Sequence, residues 1–163
     1  MQGRKHSCGF TFVEVLIAVL LVGLAVAALM GANQVFTKAN AAGADLSTAE
    51  FLMEEIRELT TLLPVVDPNT GLATFGPETG ETLAGYDDLD DFDGRTFSPP
   101  IDADRQALTE YPSFSQHVTV ENVSPSNFEQ VVPDGTSDFI RVTVNVYQNA
   151  QLITSASWLR ARY

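Results

Sequence analysis

The chain has little with which to cross-link itself or to hold a metal through sulfur or nitrogen: one cysteine, Cys8, and two histidines, His6 and His117. A lone thiol excludes a disulfide framework within one chain, so the fold must rest on apolar burial even in an oxidising compartment. Cys8 precedes the long apolar run, so it is not placed as the lipidated cysteine of a lipoprotein signal, which comes after such a run. Once His6 is set aside as part of the N-terminal basic segment, His117 has no second histidine for a zinc site or a triad and reads as a surface residue.

Positive charge is also scarce. Nine lysines and arginines stand against 21 aspartates and glutamates, a formal net charge of −12, which argues against a nucleic-acid surface. No repeat of fixed period suggests a solenoid. No nucleophile elbow, phosphate-binding glycine loop or paired base is visible, so no catalytic residue is assigned and an enzyme is not expected.

What the chain does have is one long apolar run. Val15 to Ala32 contains no charge and no strongly polar side chain. At about 1.5 Å per residue a helix over that stretch covers about 27 Å, and extending it back to Phe10 completes a bilayer span of about 30 Å. Arg4, Lys5 and His6 precede the run and Lys38 is the first cation after it, so the charge bias holds the N-terminus in the cytoplasm and exports the chain beyond Ala32. A plain anchor, a cleaved secretory signal and a leader cut before the helix would each supply such a run. Ala25-Val26-Ala27 offers the small residues of a secretory cleavage site, but Glu14 puts an anion at the border of the apolar region. A plain anchor gives no reason for that carboxylate, whose burial at full membrane depth costs about 2.5–3.5 kcal/mol.

Gly9-Phe10-Thr11-Phe12-Val13-Glu14, with a short basic segment before it and Val15-Leu16-Ile17-Ala18 after it, closely resembles the class III signal of type IV prepilins and type II secretion pseudopilins. The resemblance implies cleavage between Gly9 and Phe10 by prepilin peptidase and N-methylation of the new Phe10 amine. It also implies that Glu14 pairs with the Phe10 ammonium of a neighbouring subunit, so that assembly neutralises both charges. The implied partners are other pilin or pseudopilin subunits, the peptidase, the inner membrane and an assembly platform. Glu14-Val15-Leu16-Ile17-Ala18 is most similar to minor pilins and minor pseudopilins, and Gly31 stands where many pilins have a proline.

Beyond the membrane stretch the apolar positions Val35, Ala39, Ala42, Leu46, Ala49, Met53, Ile56 and Leu63 keep a spacing of three and four with one break at Thr60. That spacing predicts one helix of more than fifty residues running to about Leu63, where Pro64 stops it. Glu50, Glu54, Glu55, Arg57 and Glu58 bunch on its outer side and read as a solvated face. The next segment is rich in proline and glycine and too long for a bare connector. Within it Tyr86 to Gly94 concentrates Asp87, Asp88, Asp90, Asp91 and Asp93. Two readings stand: a solvated acidic turn, or a set of hard oxygen ligands able to hold Ca²⁺, the one cofactor the composition suggests. The run is not an EF-hand, because Leu89 falls at a ligand position and no matching glutamate comes after it. Leu89 and Phe92, three apart, could pin the loop to the head, and Asp93-Gly94 reads as a turn.

After Ser115 the period changes to two. His117 to Glu121 and Ile140 to Val146 alternate apolar and polar, and Leu152 to Leu159 reads as a third strand, joined to the second through Gln148-Asn149-Ala150. Val118, Val120, Ile140, Val142, Val144 and Val146 would face the helix, with Trp158 completing the core. The expected fold is α+β, a long N-terminal helix packed against a C-terminal antiparallel sheet. Its expected segments are a leader at 1–9, a membrane half of the helix at 10–33, an amphipathic half at 34–63, a variable acidic region at 64–114 and the sheet at 115–163. The expected role is that of a filament subunit. The alternative is a membrane-anchored binding module that never polymerises and uses the acidic loop as a cation or ligand site.

Overall fold

The structure, a computed structural model, describes residues 9–68 and 76–162. The basic segment before Gly9 and the stretch around Gly71 lie outside the described residues. The fold is α+β: one long helix, α1 (Phe12–Thr61), then five antiparallel strands, β1 (Thr96–Phe97), β2 (Phe114–Ser124), β3 (Asn127–Val131), β4 (Phe139–Gln148) and β5 (Gln151–Ala161). The chain divides into two units, residues 1–43 and residues 44–163.

In the first unit α1 starts where Thr11 caps it: the Glu14 N–H donates to Thr11 Oγ1 at 3.2 Å and the Val15 N–H to the Thr11 carbonyl at 3.2 Å. Thr11 and Glu14 thus stand at the N-cap and N3 positions of a capping-box sequence, and Glu14 also places negative charge at the positive end of the helix dipole. Every residue of α1 up to Gly43 is exposed, including Phe12, Leu16, Leu20, Leu24 and Leu29. This helix is long and apolar enough to cross a membrane.

In the second unit the rest of α1 packs on the sheet. Ala49, Leu52, Ile56, Leu59 and Thr60 are buried. The four apolar ones share one core with Val118, Val120, Ile140, Val142, Val144 and Val146, each larger buried aliphatic side chain contributing about 1.5–3 kcal/mol. The buried stripe differs from the expected one: Leu46 is exposed, Met53 is half-buried, and Leu52 and Leu59 take the inner positions. Two adjacent stripes, one through Leu46 and Met53 and one through Leu52 and Leu59, share Ala49 and Ile56 at the same spacing of three and four. Only the position of the sheet selects between them.

The helix ends at Thr61 through local competition for its carbonyls. Thr60 Oγ1 donates to the Ile56 carbonyl at 2.8 Å, Thr61 Oγ1 to the Arg57 carbonyl at 2.6 Å, and Pro64 lies three residues on. The Arg160 guanidinium on β5 then caps the end, donating to the carbonyls of Thr60, Thr61 and Leu63 at 2.9, 2.8 and 3.0 Å.

The sheet runs β1-β2-β4-β5, with β3 folded onto the end of β2. Burial alternates along β2 as far as Asn122 and along most of β4, so one pleated face meets α1 and the other faces outward. The β4–β5 hairpin turns through Asn149 at φ 48° and Ala150 at φ 65°, two successive left-handed residues of the kind a two-residue hairpin loop requires. Trp158 is half-buried against the core, and the Arg57 guanidinium lies 5.7 Å from its ring centroid. His117 is half-buried between Thr96 of β1 and Asn145 of β4.

Candidate functional site

Two places in the chain carry chemistry beyond packing, and each lies within one unit. The first is the start of α1. Gly9, Phe10 and Thr11 lie outside the helix and are exposed, so the Gly9–Phe10 peptide is presented on open chain one residue before the Thr11 cap. Phe10 is 81% exposed, and Glu14 lies within the first turn. The cap was legible in the sequence as Thr11-x-x-Glu14, a pattern overshadowed there by the apolar run after it.

The second is the acidic run between α1 and β1. It is not a solvated turn: Asp88, Asp90 and Asp91 are 2%, 2% and 1% exposed. The cause lies in the two apolar residues among them. Leu89 and Phe92 are fully buried in the head core, and Tyr86 packs edge-on against Phe92 with ring centroids 5.1 Å apart. The Leu89 N–H donates to the Pro64 carbonyl at 3.0 Å, tying the run to the end of α1. Asp90–Phe92 form one 3-10 turn, so anchoring positions 89 and 92 draws the intervening acids inward with them.

The carboxylates divide into distinct tasks. Asp91 Oδ2 accepts from the N–H groups of Asp87 and Asp88 at 2.9 and 3.2 Å, while Asp88 Oδ1 accepts from the Asp91 N–H at 3.2 Å. This reciprocal pattern folds the run on itself. Asp93 leaves the group: its Oδ1 accepts the Val120 N–H at 2.8 Å and so completes the edge of β2. Asp87 is half-buried and contributes its backbone N–H to Asp91. Asp91 instead meets two residues that the run does not contain, Glu78 and Glu81. One carboxylate oxygen from each of the three lies within 4.8 Å of the others, and such a group could hold a metal. Glu78 and Glu81 carry no local signal that would place them here, because contact across ten or more residues of irregular chain is not written in any periodicity.

Crowded carboxylates resist ionisation. Burial, then the negative charges of Asp90 and Asp91, pushes Asp88 up to about 8. Burial raises Asp90 to about 6. Loss of hydration, together with a hydrogen bond to the Glu78 side chain, raises Glu81 to about 7. The nearby cations serve other groups. Arg105 donates to the carbonyls of Leu83, Ala84 and Tyr86, and Arg95 to the Asp91 carbonyl, with its guanidinium 5.7 Å from the Tyr86 ring centroid. Among the described residues the ion pairs are Arg57 with Glu54 and Arg141 with Glu121 and Glu129, all away from this group.

The outer face of α1 is likewise less uniform than a solvated stripe. Glu54 pairs with Arg57 at 3.7 Å, whereas Glu55 accepts the Ala103 N–H at 2.7 Å and holds that loop to the helix.

No curated protein and no solved structure matches the chain. Residues 4–30 match the family model of the prokaryotic N-terminal methylation motif. That stretch contains the Gly9–Phe10 bond, the Thr11 cap, Glu14 and most of the exposed apolar helix. In it the chain carries the class III signal that is the signature of type IV pilins and pseudopilins.

Proposed function

We propose that this chain is a structural subunit, a minor one, of a type IV pilus or a type II secretion pseudopilus. Prepilin peptidase cuts it after Gly9, the Phe10 amine is methylated, and the subunit assembles through its N-terminal helix. Before assembly it sits in the inner membrane as a single span, with its N-terminus cytoplasmic and the sheet domain outside.

The observation that carries this reading is the apolar surface of α1 from Phe12 to Met30, exposed along its whole length and preceded by the methylation motif's Gly9–Phe10 bond. So much apolar surface requires lipid or other helices around it. Lipid satisfies it in the precursor, and neighbouring copies of the same kind of helix satisfy it in a filament. Within such a bundle the Glu14 carboxylate needs a cation, and the methylated Phe10 ammonium of the next subunit supplies one. Minor status is supported by the likeness of Glu14-Val15-Leu16-Ile17-Ala18 to minor subunits.

Recovery of the chain in sheared filaments tests the reading. The parent is expected in the filament fraction, and Glu14→Ala is expected to remain in the membrane. Equal recovery of both would contradict the charge-pairing account. A chain that stays wholly in the membrane with residues 1–9 attached would instead be an anchored, non-polymerising binding module.

A further inference from the structure

We propose that Glu78, Glu81 and Asp91 form a binding site for a hard divalent cation of the Ca²⁺ class, built between α1 and β1 of the sheet domain. The proposal concerns a single chain and does not rest on filament assembly.

Geometry supports a single ion. Ca²⁺ takes oxygen ligands at about 2.3–2.6 Å, so two ligands on opposite sides of one ion lie about 5 Å apart. Three carboxylate oxygens mutually within 4.8 Å therefore fit around one such ion. The donor set is oxygen alone, which suits Ca²⁺ and does not select zinc or copper.

A second observation is independent of that clustering. Asp91 is 1% exposed, and its Oδ1 is buried with no hydrogen-bond partner among the described residues, although its Oδ2 has two. Asp90, 2% exposed, has an Oδ1 in the same condition. A buried carboxylate oxygen without a partner costs about 1–3 kcal/mol or more, and a fold does not hold two of them side by side without some compensation. The Asp91 carboxylate faces Glu78 and Glu81, two more acids. Arg95 and Arg105, two guanidinium groups of the same region, are committed to backbone carbonyls. A divalent cation at the three carboxylates ligates Asp91, neutralises the acids around it and joins Glu78 and Glu81 to the anchored turn at Leu89 and Phe92.

The site differs from the ligand set that the acidic run suggests on its own. Asp93 is taken up by β2, and Glu78 and Glu81 come in from earlier in the chain. Asp88 and Asp90, both buried, stand beside Asp91 in the same run.

The test uses the full-length chain in detergent micelles, stripped with EDTA and then titrated with CaCl2 by calorimetry, with thermal unfolding followed in parallel. The expected result is one Ca²⁺ per chain and a rise in Tm of about 3 °C or more at saturation, reversed by EDTA. MgCl2 is expected to bind about tenfold more weakly, since Mg²⁺ demands a tighter octahedron. Glu81→Gln keeps an acceptor oxygen and the shape of the side chain, and is expected to weaken Ca²⁺ binding about tenfold or more. Asp134→Asn, an exposed carboxylate in the β3–β4 connection, is expected to leave it unchanged. Absence of any Tm shift at millimolar Ca²⁺ would overturn the proposal, and so would binding that Glu81→Gln does not weaken. If Glu81→Gln fails to fold, Glu78→Gln, at an exposed side chain, carries the same comparison.

Discussion

Gln116 of β2 donates from Nε2 to the Leu52 carbonyl of α1 at 2.7 Å, joining the sheet to the helix through a side chain that is fully buried. The same amide donates to the Ile101 carbonyl at 3.0 Å and accepts the Ile101 N–H at 2.8 Å through Oε1. One buried polar residue among the valines of that face thus fastens the helix, the sheet and the loop before β2, with its amide group satisfied on both ends.

Gln116→Leu is therefore expected to destabilise the head despite adding apolar surface. It would leave the Ile101 N–H and carbonyl without partners in a buried place, a cost of about 2–4 kcal/mol. Denaturant unfolding of the full-length chain in micelles measures it, and a change below about 0.5 kcal/mol would show that the loop relaxes to find other partners.

Arg160 stabilises the end of α1 in a comparable way. Its guanidinium covers the carbonyls of Thr60, Thr61 and Leu63, at the negative end of the helix dipole. Arg160→Met keeps the aliphatic stem and removes the donors, so a loss of about 1–3 kcal/mol is expected in the same unfolding measurement. Arg160→Lys is expected to recover only part of that loss, because an ammonium cannot span three carbonyls as a planar fork does.

At the β4–β5 turn, Ala150 holds φ 65°, a conformation in which its Cβ crowds the backbone. Ala150→Gly is expected to raise stability by about 0.5–1 kcal/mol, contrary to the usual cost of glycine. A higher Tm than that of the parent would bear this out, and a lower one would mean that the turn is not left-handed at Ala150.

The acidic turn has a pH signature. Asp88 and Asp90 have folded values of about 8 and about 6 against 3.8 for an unhindered aspartate, so the fold binds protons that the unfolded chain releases. Their contribution to stability is fully present below about pH 4 and is lost as pH rises through about 6 and then about 8. With EDTA present, Tm is expected to fall between about pH 5 and about pH 8.5, and Asp88→Asn is expected to flatten the fall. Besides burial, Asp91 pushes both up and Glu78 pushes Asp90 up, while the hydrogen bond between Asp88 and Asp90 raises the first and lowers the second. A Tm that rises across this window would contradict the buried placement of the turn.

Much of the architecture is legible in the residues themselves. The long helix comes from uninterrupted apolarity and then a spacing of three and four, β2 and β4 come from alternation with a period of two, and β5 comes from the tight turn at Asn149. The α+β order is thereby fixed. What could not be read is what depends on contact between distant residues. The face that α1 buries is decided by the sheet, which selects Leu52 and Leu59 over Leu46 and Met53. β1 and β3 are short and lack alternation, and they exist only because β2 offers them an edge. The acidic run declares its composition and, in Leu89 and Phe92, the anchors that bury it, but its partners Glu78 and Glu81 arrive by loop geometry.

The mature N-terminus decides the central claim. Intact-mass analysis and N-terminal sequencing of the chain purified from membranes that contain prepilin peptidase should find a polypeptide beginning at Phe10 and heavier by one methyl group. A chain that keeps Met1 to Gly9, or one cut after Ala27, would contradict it.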